Sequence, residues 1–332
     1  MKRTLVFPLF VAMLCVGALS VAVRNPTLAD TSAVASDGHC AGSVPGDAGV
    51  APDIHPQASP IPAHNKDYVI VTGDTLPAFK GVPVEQLFVY RYAGGAWQQI
   101  PWQFDQVMSG NLTTTVTFPL DEDDQLVFMA SDTGAQASSM SWIDDMDSQQ
   151  YPRYEITLTD PLSPTQKAWI YVYRSATLSE TVTTDYADFD PGQWIFTAED
   201  YLLGIVPNKL IADRLEMNGS GVDILDRSKV RGTLDRDDFR VHLTENNFKL
   251  NDPAVRDGRV RAWGACHLGE GFDLILLGHR SAFQFAVDFD FTRVFSGLQT
   301  LDTLRLSADL SPTVVSSLYY DGNTPGGVPV DG

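Results

Sequence analysis

The chain has 332 residues, and 42 acidic side chains against 23 basic ones give a formal net charge of -19. Charge of that sign repels phosphate backbones and anionic lipid, which excludes a nucleic-acid partner and an electrostatic membrane partner. Hydrophobic residues make up 44% of the chain, and a length beyond about 250–300 residues favours two cores over one.

Lys2 and Arg3 precede an apolar run from Leu5 to Val23, followed by the small-residue stretch Thr27-Leu28-Ala29. This layout predicts an export signal over residues 1–29, although the run also has the length of an uncleaved anchor. Cleavage would remove Lys2, Arg3 and Arg24 and no acid, taking the charge from -19 to -22. No later segment is apolar for long enough to span a bilayer. After cleavage no membrane partner is expected, and the protein is expected outside the cytoplasm, secreted or at the cell surface. Residues 30–65 are rich in Ala, Ser, Gly, Pro and Asp, a composition that cannot offset its ordering entropy, so they predict a disordered linker. Cys40 and Cys266 are the cysteines left after cleavage. An oxidising compartment permits a disulfide between them, and neither has the spacing of a metal or redox motif.

From residue 66 to 176, runs rich in β-branched and aromatic residues alternate with turn signals. The predicted strands are Tyr68 to Val71, Glu85 to Tyr92, Trp97 to Phe104, Leu126 to Met129, Tyr154 to Leu158 and Ala168 to Tyr173. Ala93-Gly94-Gly95-Ala96 is a hairpin signal, because glycine reaches positive φ without steric cost. The pattern predicts an immunoglobulin-like β-sandwich without the cysteine and tryptophan spacing of a true immunoglobulin domain. A second domain is predicted over 190–332, with strands at Trp194 to Phe196, Lys209 to Ile211, Val222 to Leu225, Phe239 to Leu243, Arg259 to Trp263, Phe272 to Leu277, Ser281 to Phe289 and Leu304 to Leu310. Their alternation suits antiparallel strands with one wet face. The chain is thus expected to be all-β, a small sandwich followed by a larger antiparallel one, with the second domain continuing past Gly332.

Three stretches carry a family resemblance: Ile100-Pro101-Trp102-Gln103-Phe104-Asp105, Asp121 to Gly134, and Asn218 to Arg231. Together they resemble a group of secreted bacterial two-domain β-sandwich proteins that carries no activity to transfer. Asp252 to Ala262 is similar to a strand-turn-strand of galactose-mutarotase-like and polysaccharide-lyase supersandwich domains. That likeness implies architecture, and with it carbohydrate as a ligand class, but no catalytic residues.

The strongest candidate site is the acidic run Asp121-Glu122-Asp123-Asp124 beside the apolar strand Gln125 to Ala130. Adjacent carboxylates repel one another and require solvation or a cation. Calcium takes six to eight oxygens, so Asp121, Asp123 and Asp124 are candidate ligands, with Asp105 or Asp132 arriving from neighbouring strands. The twelve-residue EF-hand pattern is absent, and a solvated acidic turn explains the run without a metal. A second candidate is Asp226 with Arg227, which can orient sugar hydroxyls or a carboxylate, or belong to a salt-bridged turn with Asp223, Lys229 and Arg231. His242 and His279 complete a candidate ligand set in the second domain, set against the plain reading of ordinary strand residues. The resulting expectation is an exported, non-catalytic binding protein with a calcium-stabilised turn. Its expected partner is carbohydrate or a cell-surface polymer. The alternatives are a polysaccharide lyase or glycoside hydrolase with its cleft at Asp226, Arg227, His242 and His279, and a structural cell-surface module.

Overall fold

In the computed structural model the described residues are mainly β, arranged in antiparallel sheets. The structure describes residues 3–7, 65–108, 111–114, 118–160, 163–236, 239–251, 253–267, 272–289, 300–314, 318–319 and 328–329. The predicted linker and the C-terminal turn residues fall largely outside these ranges, as does Cys40. Strand β1 (Arg3–Phe7) groups with the unit that contains the C-terminal half of the chain. The chain divides into that unit, chiefly from Thr184 onward, and another that comprises Leu19–Leu112 and Val116–Thr183.

The unit that ends at Thr183 holds two four-stranded antiparallel sheets. They use β2 (Tyr68–Thr72), β3 (Leu87–Ala93), β4 (Ala96–Gln99), β5 (Trp102–Met108), β6 (Asn111–Thr113), β7 (Gln125–Met129), β8 (Tyr154–Thr159) and β9 (Lys167–Arg174). One sheet runs β2-β7-β5-β6 and the other β4-β3-β9-β8. Val71, Leu126, Phe128 and Phe104 from the first sheet share one core with Val89, Ile156, Ile170 and Tyr171 from the second, which makes a sandwich. Gly94 and Gly95 take φ of 60° and 81° in the β3–β4 hairpin, as the primed two-residue turn requires.

The expected single strand Trp97 to Phe104 is two strands in different sheets. The Ile100 amide still donates to Val89 at 3.1 Å, but Pro101 has no N–H to continue the ladder. Trp102 then resumes against Phe128 of the other sheet.

The other unit contains β10 (Ala187–Asp190), β11 (Ile195–Ala198), β12 (Tyr201–Ile205), β13 (Ala212–Met217), β14 (Leu225–Arg236), β15 (Phe239–Thr244), β16 (Ala254–Arg256), β17 (Arg261–His267), β18 (Phe272–His279), β19 (Ala282–Phe289), β20 (Thr300–Leu310), β21 (Leu318–Tyr319) and β22 (Val328–Pro329). Its sheets are β10-β11-β12-β13, β1-β19-β18-β17-β16, β15-β14-β20 and the pair β21-β22. β1 pairs with Phe285 to Phe289 at the outer side of β19. Two predicted strands shift. Lys209 to Ile211 forms a turn bridged to Lys249, beside Asn208 at φ 61°. The strand expected from Val222 starts only at Leu225, because Asn218, Gly219 and Gly221 adopt left-handed turn conformations.

Phe189 and Phe196 stack at 4.0 Å between centroids and lie over two glycines of the facing sheet. A Cβ on Gly264 would sit 2.8 Å from the Phe189 ring, and one on Gly278 would sit 2.7 Å from Phe196 and 2.8 Å from the Tyr201 hydroxyl. Glycine here serves close approach of an aromatic layer to a sheet. Gly278→Ala should therefore cost about 1–3 kcal/mol by overpacking. Urea unfolding measures this, and an unchanged midpoint would refute the close approach.

Candidate functional site

The acidic turn connects Leu120, at the end of the preceding loop, to β7, and the chain folds it through hydrogen bonds from the main chain. Asp124 is buried; its carboxylate accepts from the Val107 amide at 3.0 Å and the Asp121 amide at 2.9 Å. Asp121 in turn accepts from the Asp123 and Asp124 amides, both at 3.2 Å, an Asx arrangement that tightens the bend. Glu122 is exposed and pairs with Lys80. Asp123 projects into solvent, and a hydrogen bond with Asp121, with the nearby Asp121 charge, raises its pKa.

The turn is docked on residues 73–81. The Gly73 amide donates to the Asp124 carbonyl at 2.8 Å, the Asp74 amide to Glu122 at 2.9 Å, and the Gly81 amide to Leu120 at 2.8 Å. A Cβ on Gly73 would stand 1.8 Å from the Asp121 carbonyl oxygen, so the close approach of the two segments requires glycine.

One oxygen from each of Asp121, Asp123 and Asp124 lies within 4.8 Å of the others. Asp105 and Asp132 are not in that group. Asp105 is buried on β5 and accepts from the Gln103 side-chain Nε2 at 2.9 Å through both oxygens. Asp132 is half-buried in the 3-10 turn after β7. Of the candidate ligands, Asp121, Asp123 and Asp124 come together and neither Asp105 nor Asp132 joins them, which leaves three carboxylates, short of the six to eight oxygens that calcium takes unless water or carbonyl groups complete the shell.

The second-domain candidates occupy different surroundings. Asp226 and Arg227 are exposed at the start of β14, where the ladder to β20 shifts register between Leu225 and Arg227. His242 is exposed on β15 opposite Thr233, about 20 Å farther along β14 at 3.3 Å per residue. His279 is buried at the end of β18, in another sheet, opposite Arg261. Burial, helped by the Arg261 charge, lowers its pKa to about 4. These four side chains do not share one solvent-facing cleft, which corrects the expected ligand set. The alternating charges around them pair instead across strands: Lys229 with Asp309 of β20 and Arg231 with Glu245. Asp223 is a turn anchor, accepting from the Leu215 and Leu225 amides at 2.9 and 3.1 Å.

Cys266 is a buried free thiol whose pKa burial pushes up to about 12, the state of an inert core cysteine. Its expected disulfide partner Cys40 lies outside the described residues.

Two features had no clear signal in the sequence. Arg153 is buried, with its guanidinium carbon 5.0–5.7 Å from the ring centres of Tyr171, Trp142 and Trp97. It donates to the Ser141 carbonyl at 2.6 Å, so this aromatic group is filled by the protein's own cation. Asp185 and Asp257 form an acidic neighbourhood with Asp188, and burial with mutual repulsion raises the pKa of both.

No family model, curated protein or solved structure matches the chain.

Removing the Asp124 carboxylate leaves the Val107 and Asp121 amides without their acceptor. Asp124→Ala should cost about 3–5 kcal/mol, from two hydrogen bonds to a charged group. Denaturant midpoints with and without a chelator check it, and a change under about 1 kcal/mol would contradict the assignment. For His279, the native state resists protonation while the unfolded chain protonates near 6.5. Stability should fall as pH drops from about 6.5 to 4, by on the order of 3 kcal/mol. His279→Gln should flatten that segment of the pH profile relative to the parent protein, and an identical slope would argue against it.

Proposed function

We propose that this chain is an exported, non-catalytic binding protein that engages carbohydrate through the charged face of the β15-β14-β20 sheet. The observation that carries this reading is the spread of polar side chains along that face. Arg227, Arg231, Arg240, His242 and Arg305 are exposed and Lys229 is half-buried. Register puts Arg227 opposite Asp309, Arg231 opposite Arg305 and Thr233 opposite His242. A long, open, hydrogen-bonding face suits an extended polymer better than a small substrate, which concave pockets enclose. On this face Lys229, Arg231 and Arg240 pair with Asp309, Glu245 and Asp302, and Arg227 and Arg305 add exposed cations, a mixed pattern that suits a glycan carrying carboxylate or sulfate groups beside its hydroxyls. Export rests on the N-terminal pattern of basic start, apolar run and small residues.

The test is binding to polygalacturonate, a sulfated glycan and neutral dextran. Acidic polymers should bind, binding should weaken as salt rises, and Arg227→Ala with Arg240→Ala should lower affinity about tenfold, the equivalent of about 1.4 kcal/mol. Silence across the set would favour a structural cell-surface module, and depolymerisation would favour the enzyme.

Calcium at Asp121, Asp123 and Asp124 is a second, separable reading, supported by the grouping of their oxygens within 4.8 Å. Under it, millimolar calcium raises the melting temperature of the parent and not of Asp123→Asn. A parent protein insensitive to calcium removes it.

A further inference from the structure

We infer that β20 is a self-complementary edge through which two copies of this chain pair as antiparallel strands, joining their three-stranded sheets into one of six. β20 spans Thr300–Leu310 and stands at the outer edge of β15-β14-β20 among the described strands. Natural sheet edges are ordinarily kept short or broken by proline or lysine, because their unpaired N–H and C=O groups template another strand. This edge is 11 residues long and contains neither residue; its one irregularity is the register shift at Asp302, and from Thr303 to Asp309 it pairs in unbroken register.

Its described side chains are open to solvent or half-buried along its length. Leu306 and Leu310 are 38% and 37% exposed. Leu306 and Ala308 share the face of Val230 and Ser228, their ladder partners, while Arg305 and Asp309 point to the opposite, charged face. Arg305 stands directly opposite Arg231 on the inner side, a like-charge pairing that is unfavourable in a ladder. Arg231 is itself paired with Glu245, so an acid for Arg305 is best supplied from beyond the edge.

A second copy supplies one. A two-fold axis perpendicular to the sheet keeps the apolar faces of both copies on one side, which restricts the register to pairings between positions on the same face. With Ser307 opposite Ser307 of the second copy, Arg305 falls opposite Asp309 of that copy, and Asp309 opposite its Arg305; Asp309 already pairs with Lys229 of its own chain, so in the dimer its carboxylate bridges that lysine and the incoming arginine. Leu306 then lies opposite Ala308 on the apolar face. Shifting the axis to Arg305 would set two arginines together, and shifting it to Leu306 or Ala308 would set Arg305 or Asp309 opposite serine. Directly opposed residues have Cβ atoms about 4.5–5.5 Å apart, within reach of ion pairs. The same segment thus fits its own copy in one register, by charge and by apolar contact. This inference rests on the edge of the sheet and the glycan reading on its face; the two share Arg305, while the glycan test uses Arg227 and Arg240.

Sedimentation velocity over a concentration series tests it. The parent protein should dimerise, while Arg305→Glu and Asp309→Arg should each weaken self-association at least about tenfold. An equimolar mixture of the two variants should associate again. In the mixed dimer the introduced glutamate of one variant meets the introduced arginine of the other, and the unaltered Asp309 and Arg305 meet as they do in the parent. Arg305→Glu sets an acid opposite Arg231, so loss of the dimer in that variant cannot be attributed to a weakened sheet; circular dichroism confirms the fold of both. A parent that stays monomeric, single variants that dimerise as the parent does, or a mixture that fails to associate would each overturn the inference.

Discussion

A row of four acidic residues at the mouth of a buried strand is tolerable here because the main chain, more than solvent, neutralises it. Asp124 turns inward and accepts two amides, one from β5 and one from the turn itself. A carboxylate removed from water is costly unless hydrogen-bonded, and two charge-assisted bonds are among the stronger contacts a protein makes. Once that carboxylate is fixed, the carbonyls of Leu120, Glu122 and Asp124 face residues 73–81 and receive three further amides. The side chain that looks most like a ligand for something external is thus the one that closes the first sandwich. Asp121, Glu122 and Asp123 remain exposed, and a hydrogen bond with Asp121, with the nearby Asp121 charge, raises the pKa of Asp123.

The sheets themselves were largely legible from residue type. Strands such as Tyr154 to Thr159 show strict alternation of buried and half-buried positions, and Gly94-Gly95 marks its hairpin without help from tertiary contacts. The failures have local causes. Ile100-Pro101 lies inside a continuous β-prone run, and only the absent proline N–H, together with the demand for a second layer, divides it between two sheets. The strand expected from Val222 is delayed because Asn218 takes positive φ along with Gly219 and Gly221, extending the turn farther than composition suggests. β10 and β12 carried little pattern of their own and depend on the Phe189–Phe196 stack meeting Gly264 and Gly278 across the core.

Candidate sites were less legible, since chemistry at a distance depends on which face and which sheet receives each residue. The acids at 121, 123 and 124 do come together, being adjacent in the chain. Asp105 and His279 were singled out for their chemistry, yet both are buried within the fold. Asp226, Arg227 and His242 share one sheet, extended along it. No spacing rule in the sequence announces that Arg231, Arg305 and Asp309 would meet around one ladder, because β14 and β20 are separated by the whole of β15 to β19. Among the described strands, the exposed face of that sheet and its edge at β20 are the features on which the two proposals rest.

The claim that the acidic turn is a structural lock is tested most directly by native-state hydrogen exchange of the Val107 and Asp121 amides. If the Asp124 carboxylate holds them, both exchange only on opening of the domain, with protection equal to that of the β7 amides. Exchange at the rate of exposed loop amides would show that the carboxylate is solvated, and the account of the turn would fall.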